Sequence, residues 1–346
     1  MLRPIVKLSI VLAVCGLLAA PNAMAAERKI RINNSAWATL EHPVTVYFSV
    51  KPCELLNAVS GGKFDIRYHP SYTLVGPKDG YQAVITGMTP FNLVLTAATP
   101  GVFPLLDLFS LPGLFPNQST SNAVVRDLLE KYPQFEQELD PAVQRISTQV
   151  HMRADLHTRI PIRSLAELKG KTIGCQNSEI ASAMEALGAS ATILEISDAY
   201  SALDKGVVDG FAAAWGVMSS ARLNEVTKYH TLLGICPSAT HFMANRAVVW
   251  DKLTPEQQNV MKSLEPVIQG MIAKGNVLSS MSARFQEASA EKGHEMITWS
   301  DEDMKAMREK FRPIWDRWAE NMESKGLPGK QILQDAIDLI DAYNLG

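Results

Sequence analysis

The sequence has no excess of positive charge and only four cysteines in 346 residues. Its 33 lysines and arginines are outnumbered by 36 aspartates and glutamates, which gives a formal net charge of −3 at pH 7. Recognition of nucleic acids or anionic membranes relies on clustered basic residues. The charge balance therefore excludes a strongly basic nucleic-acid-binding protein and argues against adhesion to anionic membranes.

Long apolar runs are also absent, apart from one near the N-terminus, Leu8–Ala20, which is too short to span a bilayer. Two basic residues precede this run, and Ala23-Met24-Ala25 follows it with small residues at the positions that a signal peptidase reads. We expect a signal peptide at 1–25, cleavage after Ala25 and export to the periplasm. The mature chain would have a formal charge of −5 and no direct membrane insertion.

Three cysteines would remain after cleavage: Cys53, Cys175 and Cys236. Export permits a disulfide, but an odd number leaves at least one thiol unpaired. Their spacings match no zinc-binding pattern. A Cys175–Cys236 disulfide remains open, and three small buried thiols are the expectation.

No catalytic or phosphate-binding motif is present. The Gly-Lys-Thr tripeptide at 170–172 would need a glycine where Leu165 stands, and it leads from a helix into a strand instead of the reverse. His151 and His157 are six residues apart, which does not place both on one helical face. We expect no cofactor, no metal and no catalytic residue. The rival hypothesis is an extracellular thiol or hydrolytic enzyme that uses Cys175.

Strand and helix patterns alternate in the first part of the mature chain. Strand-like runs at 27–35, 61–70 and 91–99 are separated by helical patterns, which predicts an α/β layer with a mainly parallel sheet. The proline-rich apolar segment 100–119 cannot be a regular helix and should pack irregularly on a core. The strand-like run 143–153 could cross into a second lobe.

A second strand–helix series begins at Ser164. Ser164, with Glu167 three positions later, predicts a capped short helix before a strand at 171–175. More strand and helix patterns follow, so a second α/β lobe is predicted. From Thr254 the chain is mostly helical, and the apolar pattern continues to about Glu291, long enough for one helix to lie against both lobes.

The segments RIPIRSLAELKGKTIG, MEALGAS and ILEISDAYSALDKGVVDG carry a specific family pattern. Through them the chain resembles the solute-binding proteins of TRAP transporters, the DctP-type family. The resemblance extends to PGVFPLLDLFSLPGLFP and MANRAVVWDKLTPEQQ, so it covers nearly the whole mature chain.

The resemblance implies a periplasmic-binding-protein-like α/β fold. In that fold, two α/β lobes enclose a ligand cleft and are joined by crossing hinge strands and a long connecting helix. Lobe I would comprise 26–151 and 240–279, and lobe II 152–239 and 280–346. The implied partners are a small-molecule ligand and the small and large membrane subunits of a TRAP transporter, and we expect a monomer.

One position departs from the family pattern. The strand after Lys-Gly in this family usually reads Lys-Ile-Arg, and its arginine forks onto a substrate carboxylate. Here Gly174 occupies the arginine position. Either another cation grips the carboxylate, with Arg153 the first candidate and Arg159 the second, or the ligand is not a carboxylate held in this way. A local strand irregularity such as a bulge is the structural alternative.

Further ligand-binding candidates lie in the predicted strands or where these lead into helices, since open α/β sheets bind ligands there. We expect Trp37 and Trp215 to face the cleft, and together they would suit an aromatic or branched organic acid. The remaining candidates are Tyr72, Asn92, Gln176, Asn177 and His241.

These features predict a periplasmic receptor that binds a small organic acid, closes around it and delivers it to a TRAP-type permease without catalysis. Two alternatives remain open. The ligand could be a polar solute that is not a carboxylate, or the receptor could serve a sensor protein instead of a permease.

Overall fold

The computed structural model describes residues 28–42, 45–99, 101–115, 117–151, 154–274 and 277–344. These residues form an α/β structure in which the strands divide into two regions, one for each predicted lobe. The predicted fold class is confirmed. The predicted signal peptide, 1–25, lies outside the described residues.

The strands of lobe I form two neighbouring groups. β1 (Ile30–Ser35) and β2 (Phe64–His69) are parallel, and β3 (Phe91–Leu95), β10 (Ser238–Asn245) and β4 (Val143–His151) follow in the order β3-β10-β4. β10 is antiparallel to both of its neighbours, so β3 and β4 run in the same direction.

An asparagine side chain joins these two groups. The amide of Asn34, at the end of β1, donates to the carbonyl oxygen of Phe91 at 2.9 Å and to Oδ1 of Asn92 at 3.1 Å. Asn34 is fully buried, so these bonds satisfy an amide nitrogen that has no access to water. They place β1 beside β3.

Lobe II contains a six-stranded sheet with the order β11-β9-β5-β8-β6-β7. β6, β7 and β8 are mutually parallel, and β5 is antiparallel to both β8 and β9. The carboxyl ends of β6, β8 and β9 therefore lie at the edge where β5 begins. The strands are β5 (Ala154–Thr158), β6 (Thr172–Cys175), β7 (Ser190–Ile193), β8 (Gly210–Ala213), β9 (Tyr229–Ile235) and β11 (Glu295–Ile297).

Helices connect and cover the strands of both lobes. Local signals in the sequence start several of them: Thr254 and Gln257 form a capping box before the helix at Pro255–Ser263, and Ser300 caps the helix at Asp301–Ser324. The helices are α1 (Lys51–Val59), α2 (Gly80–Ile85), α3 (Gln118–Lys131), α4 (Gln134–Gln137), α5 (Leu165–Leu168), α6 (Ser178–Ala186), α7 (Ile196–Asp204), α8 (Trp215–Ser220), α9 (Pro255–Ser263), α10 (Glu265–Lys274), α11 (Val277–Glu291), α12 (Asp301–Ser324) and α13 (Gly329–Asn344).

The chain passes between the lobes at two neighbouring strand connections. β4 ends at His151 and β5 begins at Ala154, while β9 leads into β10 through Cys236 and Pro237. Cys236 has a φ of 47°, a left-handed conformation that is uncommon for residues other than glycine. The two connections form the crossing that the sequence predicted.

The predicted single helix from Thr254 to Glu291 is wrong in its continuity. The structure divides it at Leu264 into α9 and α10, and α11 forms a third helix. Pro266 explains the first break, because proline lacks an N–H group and its ring would clash with a carbonyl oxygen one turn earlier. Proline is tolerated in the first turn of α10, because the N–H groups of a first turn have no acceptor within the helix and no carbonyl of that helix lies one turn earlier.

The C-terminal helices contact lobe I as well as lobe II. The indole N–H groups of Trp315 and Trp318 donate to the carbonyl oxygens of Pro112 and Pro104, both at 2.8 Å. Asp335 on α13 bonds to residues at the end of α3. The proline-rich segment is thus packed against a core, as predicted, and the exact lobe boundaries remain a prediction.

None of the helices in the described ranges has both the length and the apolar character needed to cross a membrane.

Candidate functional site

The carboxyl ends of parallel strands in both lobes meet at the two crossing connections. In lobe I this edge contains the ends of β1, β2 and β3; in lobe II it contains the ends of β6, β8 and β9. Ligands of open α/β sheets bind outside such carboxyl ends. The space between these edges is the candidate ligand cleft.

The lobe I edge presents an exposed indole on two interlocked loops. The backbone N–H of Tyr72 donates to the carbonyl oxygen of Ala36 at 2.9 Å, and that of Ser71 donates to Ala38 at 3.2 Å. Trp37 lies between these two acceptors, and its side chain is 41% exposed. Ser71 and Tyr72 have φ values of 52° and 55°, a conformation that costs free energy and often occurs at functional sites.

The Tyr72 phenol on the adjoining loop is largely buried. Burial raises its pKa to about 12, so it is neutral and able to donate a hydrogen bond at any physiological pH. Together the two loops offer an apolar surface and a polar group at the entrance of the cleft.

Asn92 lies inside lobe I instead of at the cleft surface. Its Oδ1 accepts from the amide of Asn34 at 3.1 Å and from the backbone N–H of Ser35 at 3.2 Å. The side chain is 97% buried. The Asn92 side chain links β1 to β3 through these hydrogen bonds, a role that the sequence pattern did not indicate.

His241 is likewise buried, between two threonines. Its Nε2 lies 2.7 Å from Oγ1 of Thr96, and its Nδ1 lies 2.9 Å from Oγ1 of Thr148. Thr96 follows the end of β3, so the contact with His241 fixes the position of the residue at the lobe I edge. In this conformation its ring is not exposed toward a ligand.

Gly174 is buried, and a side chain at this position would meet an aromatic ring. A Cβ atom here would lie 2.6 Å from Cδ2 of Phe211 and 3.2 Å from Cδ1 of Leu194. Gly174 pairs in register with Thr192 and Phe211, so β6 is regular at this point. The expected alternative of a strand bulge is wrong, and the absence of arginine here is coupled to the presence of Phe211.

Two amides follow β6 at the lobe II edge. Oδ1 of Asn177 accepts from the backbone N–H of Ile180 at 2.9 Å and so caps the N-terminus of α6. Oε1 of Gln176 is buried and has no hydrogen-bond partner among the described residues. Because an unpaired buried acceptor costs free energy, Gln176 is the group at this edge that a ligand donor would satisfy.

The prediction that Trp215 faces the cleft is not what the structure shows. The side chain is only 2% exposed, and its indole N–H donates to Oδ2 of Asp155 at 2.8 Å. The other carboxylate oxygen of Asp155 accepts from the backbone N–H of Gly234 at 2.8 Å. A buried indole N–H needs a partner, and here that partner fixes the start of α8 to β5 and β9.

Arg153 and Arg159 were the two candidates for the cation that replaces an arginine at position 174, and the structure describes only the second. Arg153 lies outside the described residues, so its role remains a prediction. Arg159 follows the end of β5, and its backbone N–H donates to Asp209, which precedes β8. It therefore lies at the edge of the lobe II sheet opposite the cleft, and the prediction that it grips a ligand there is wrong.

The three cysteines at Cys53, Cys175 and Cys236 are free and buried, as expected. Burial raises the pKa of the Cys175 thiol to about 12. A thiol rather than a thiolate at neutral pH is a poor nucleophile, so the structure gives no support to a Cys175 enzyme. Within the described part of the chain, no group of three or more His, Cys, Asp or Glu side chains is arranged so that it could hold a metal ion.

The chain is similar to known proteins in both sequence and fold. A family model described as bacterial extracellular solute-binding protein, family 7 (DctP), matches residues 34–321. A TRAP periplasmic solute-binding protein from Desulfovibrio salexigens, in an open form with the C-terminus of a symmetry mate in its ligand-binding site, has a TM-score of 0.79 at 24% identity. That match covers 91% of this chain and 97% of the other.

Two further solved structures contain ligands. A marine metagenome TRAP solute-binding protein specific for aromatic acids, in complex with metahydroxyphenylacetate, has a TM-score of 0.76 at 21% identity and covers 91% and 99% of the two chains. A Chromohalobacter salexigens TRAP protein with bound D-glucuronate has a TM-score of 0.74 at 14% identity and covers 89% and 99%. At these identities the structures show a shared two-lobed fold. With the family model covering most of its length, the chain belongs to family 7 of the bacterial extracellular solute-binding proteins, the DctP family.

Proposed function

We propose that this protein binds a small organic acid in the cleft between its lobes and delivers it to the membrane subunits of a TRAP-type transporter. The observation that supports this proposal most strongly is the meeting of two sets of strand carboxyl ends at two short crossing connections. A ligand that contacts both edges favours the closed state, because only that state provides all of its contacts.

The lobe II edge suits a negatively charged group without an arginine at 174. The capped N-terminus of α6 follows β6, and the free N–H groups of a helix N-terminus favour an anion. The unpaired Oε1 of Gln176 is an acceptor, so it suits a hydroxyl or another donor group of the ligand at the same edge and not the carboxylate itself. Arg153, at the crossing between β4 and β5, is our candidate for the remaining cation.

The lobe I edge suits an apolar or flat part of the ligand. Trp37 is exposed there although tryptophan is usually buried, and Tyr72 lies on the loop bonded to it. An aromatic or branched acid would bury the indole face when the lobes close. We also propose export by cleavage after Ala25 and a monomeric receptor.

A second candidate ligand class follows from the Gly174–Phe211 contact. The ring fills the space in which an arginine side chain would begin, so a carboxylate cannot be gripped from position 174. If Arg153 does not replace it, the cleft would select a neutral polar solute that bonds to Gln176 and Asn177.

A thermal-shift screen of the mature chain, residues 26–346, separates these classes. The probes are 3-hydroxyphenylacetate and D-glucuronate, each paired with a neutral analogue, the primary amide and D-glucose. A ligand present at about 1,000 times its Kd stabilises the folded state by about 4 kcal/mol, because only that state binds it. Larger shifts with the acids, lost in Arg153→Ala, would support the proposal; shifts with the neutral analogues alone would favour the second class.

The Trp37→Ala variant tests the location of the site in the same screen. Trp37 is exposed, so its truncation should leave the melting temperature of the free protein nearly unchanged while it reduces the shift caused by the ligand. An undiminished shift would place the ligand elsewhere.

A further inference from the structure

A small basic pocket lies at the end of lobe I that faces away from the cleft. It has a volume of about 140 Å³, and the residues that line it are Arg28, Ile30, Lys63 and Lys252. Three of these four side chains are positively charged at neutral pH, and none is negatively charged. The pocket therefore has the composition of an anion-binding site.

The starts of two parallel strands and one turn bring these residues together. Ile30 begins β1, and Lys63 directly precedes β2. The backbone N–H of Ile30 donates to the carbonyl oxygen of Lys63 at 2.9 Å, which fixes the two strand starts side by side. Lys252 ends the 3₁₀ turn Trp250–Lys252, which follows β10. The cleft lies at the carboxyl ends of β1 and β2, roughly 17 Å away along the strands, so the pocket is separate from the proposed ligand site.

The ammonium group of Lys63 is already held in position by the chain. Its Nζ donates to the carbonyl oxygen of Lys252 at 2.6 Å. An ammonium group has three donors, so two of them remain for a ligand. Because this bond orders a flexible side chain in the free protein, less conformational entropy is lost when an anion binds.

No carboxylate of the described residues neutralises the charge of the pocket. Its three basic residues are absent from the ion pairs that these residues form. Two aspartates lie close to the pocket in the sequence. Asp65 is paired with Arg31 at 3.2 Å, and Asp251 is exposed to water. An anion in the pocket would thus meet three positive charges that have no other partner among the described side chains.

The size and charge of the pocket favour a phosphate group. Water occupies roughly 30 Å³ per molecule in the liquid, so the pocket has room for about five water-sized groups, as many as the heavy atoms of a phosphate. Pockets for drug-sized molecules start at roughly 300 Å³. Three cations also match the multiple oxygens and the nearly double negative charge of a phosphate better than the single charge of a carboxylate.

We propose that Arg28, Ile30, Lys63 and Lys252 form a binding site for a phosphate group at the amino end of the lobe I strands. The guanidinium group of Arg28 bonds to two phosphate oxygens, and the two ammonium groups contact the others. A free phosphate ion and the headgroup of an anionic phospholipid both present such oxygens. The site is independent of the proposed function, because none of its residues lies at an edge of the cleft.

Titration of the ligand-free mature chain with inorganic phosphate tests the site. ¹H–¹⁵N spectra are recorded at constant ionic strength while phosphate replaces chloride. We expect saturable shifts of the backbone amides of Ile30, Lys63 and Lys252, and no shift at Trp37, which lies at the opposite end of β1. Shifts that spread evenly over the basic surface without saturation would contradict a defined pocket.

Lys63→Gln and Lys29→Gln form a matched pair of variants, since each removes one positive charge at the start of a neighbouring strand. Arg28 and Ile30 line the pocket, whereas Lys29 between them does not, as expected for alternate residues of an extended chain. Lys63→Gln should weaken phosphate binding by roughly tenfold, and Lys29→Gln by less than about twofold. Equal effects of the two variants would overturn the site.

Lys252→Gln repeats this test without removing the Lys63 side chain. The backbone carbonyl that accepts from Lys63 is kept, so the pocket should retain its shape and lose one charge. We again expect a loss of roughly tenfold in phosphate affinity, with an unchanged urea midpoint. Unchanged affinity in this variant would exclude Lys252 from the site and overturn the proposal.

Sedimentation with lipid vesicles distinguishes the two sources of phosphate. Vesicles of equal parts phosphatidylglycerol and phosphatidylcholine are compared with vesicles of phosphatidylcholine alone. Saturable phosphate shifts without sedimentation would support a site for the free ion. Sedimentation that Lys63→Gln abolishes and Lys29→Gln retains would support a site for a lipid headgroup. A chain that gives neither response would overturn the proposal.

Discussion

The contact between Gly174 and Phe211 predicts the cost of adding a single methyl group to β6. In Gly174→Ala the new Cβ would lie 2.6 Å from Cδ2 and 3.1 Å from Cε2 of the buried Phe211 ring, and 3.2 Å from Leu194. Overpacking of this kind costs about 1–3 kcal/mol. Replacing a strand glycine by alanine recovers about 0.5–1 kcal/mol of backbone entropy. The clash outweighs this entropic gain, so the free energy of unfolding should fall by about 0.5–2 kcal/mol.

Urea denaturation of the ligand-free protein measures this change, with the slope against urea concentration checked for constancy. Gly270→Ala in α10 is the matched control, because a Cβ there meets no atom within 4 Å. It should raise stability by about 0.5–1 kcal/mol, since glycine is a poor helix former. In the double variant Gly174→Ala/Phe211→Leu, a smaller side chain replaces the ring and should remove most of the clash. The effects of the two substitutions on the free energy of unfolding should therefore be non-additive. If Gly174→Ala were as stable as the original chain, Phe211 would not explain the glycine.

Three further predictions concern the two edges and the buried histidines. Trp37→Ala should weaken ligand binding by about tenfold or more with little change in the urea midpoint, while Trp37→Phe should retain most of the affinity, as calorimetry would show. Asn177→Asp should keep the cap of α6 and the stability of the protein but weaken binding of an acid relative to its neutral analogue; unchanged discrimination would remove the α6 N-terminus from the site. The pKa values of His157 and His230 are lower in the folded state than in the unfolded state, so the unfolded state binds more protons below about pH 6.5. The free energy of unfolding should therefore be constant above about pH 6.5 and fall as the pH drops toward 4, by up to about 1.4 kcal/mol per pH unit for each ring. Urea midpoints across that pH range measure this change. A flat profile would contradict the burial of two neutral rings.

The two-lobed α/β fold could be predicted from local sequence patterns, because tertiary contacts did not change most of the predicted strands and helices. Alternating strands and helices gave both lobes, and the capping box at Thr254 placed the start of α9 correctly. The one long helix failed because a continuous apolar pattern does not reveal a break, although Pro266 was a signal for it. The contacts of the C-terminal helices with lobe I join residues about 200 positions apart, which no local pattern contains.

The site was less predictable because exposure depends on distant partners. The indole of Trp37 is exposed, and its place in the cleft stays a prediction. The similar loop position of Trp215 did not reveal Asp155 as a buried partner. The same holds for His241, which two threonines enclose. The sequence marked Gly174 as unusual, but the reason lies in Phe211 on a neighbouring strand.

The row of contacting histidines formed by His157, His230 and His294 gave no signal in the sequence at all. Its members are separated by 73 and 64 positions and are brought together only by the pairing of β5 with β9 and of β9 with β11. Each histidine alone resembles an ordinary core or surface residue. Polar networks of this kind require the sheet order before they can be recognised.

The most direct test of the receptor proposal is a crystal structure of the mature chain with the acid that gives the largest thermal shift. The ligand should lie between the lobes, with its apolar part against Trp37 and its carboxylate at the lobe II edge near the start of α6. Phe211 should still cover Gly174. A ligand that contacts one lobe only, or that lies away from both strand edges, would contradict the account.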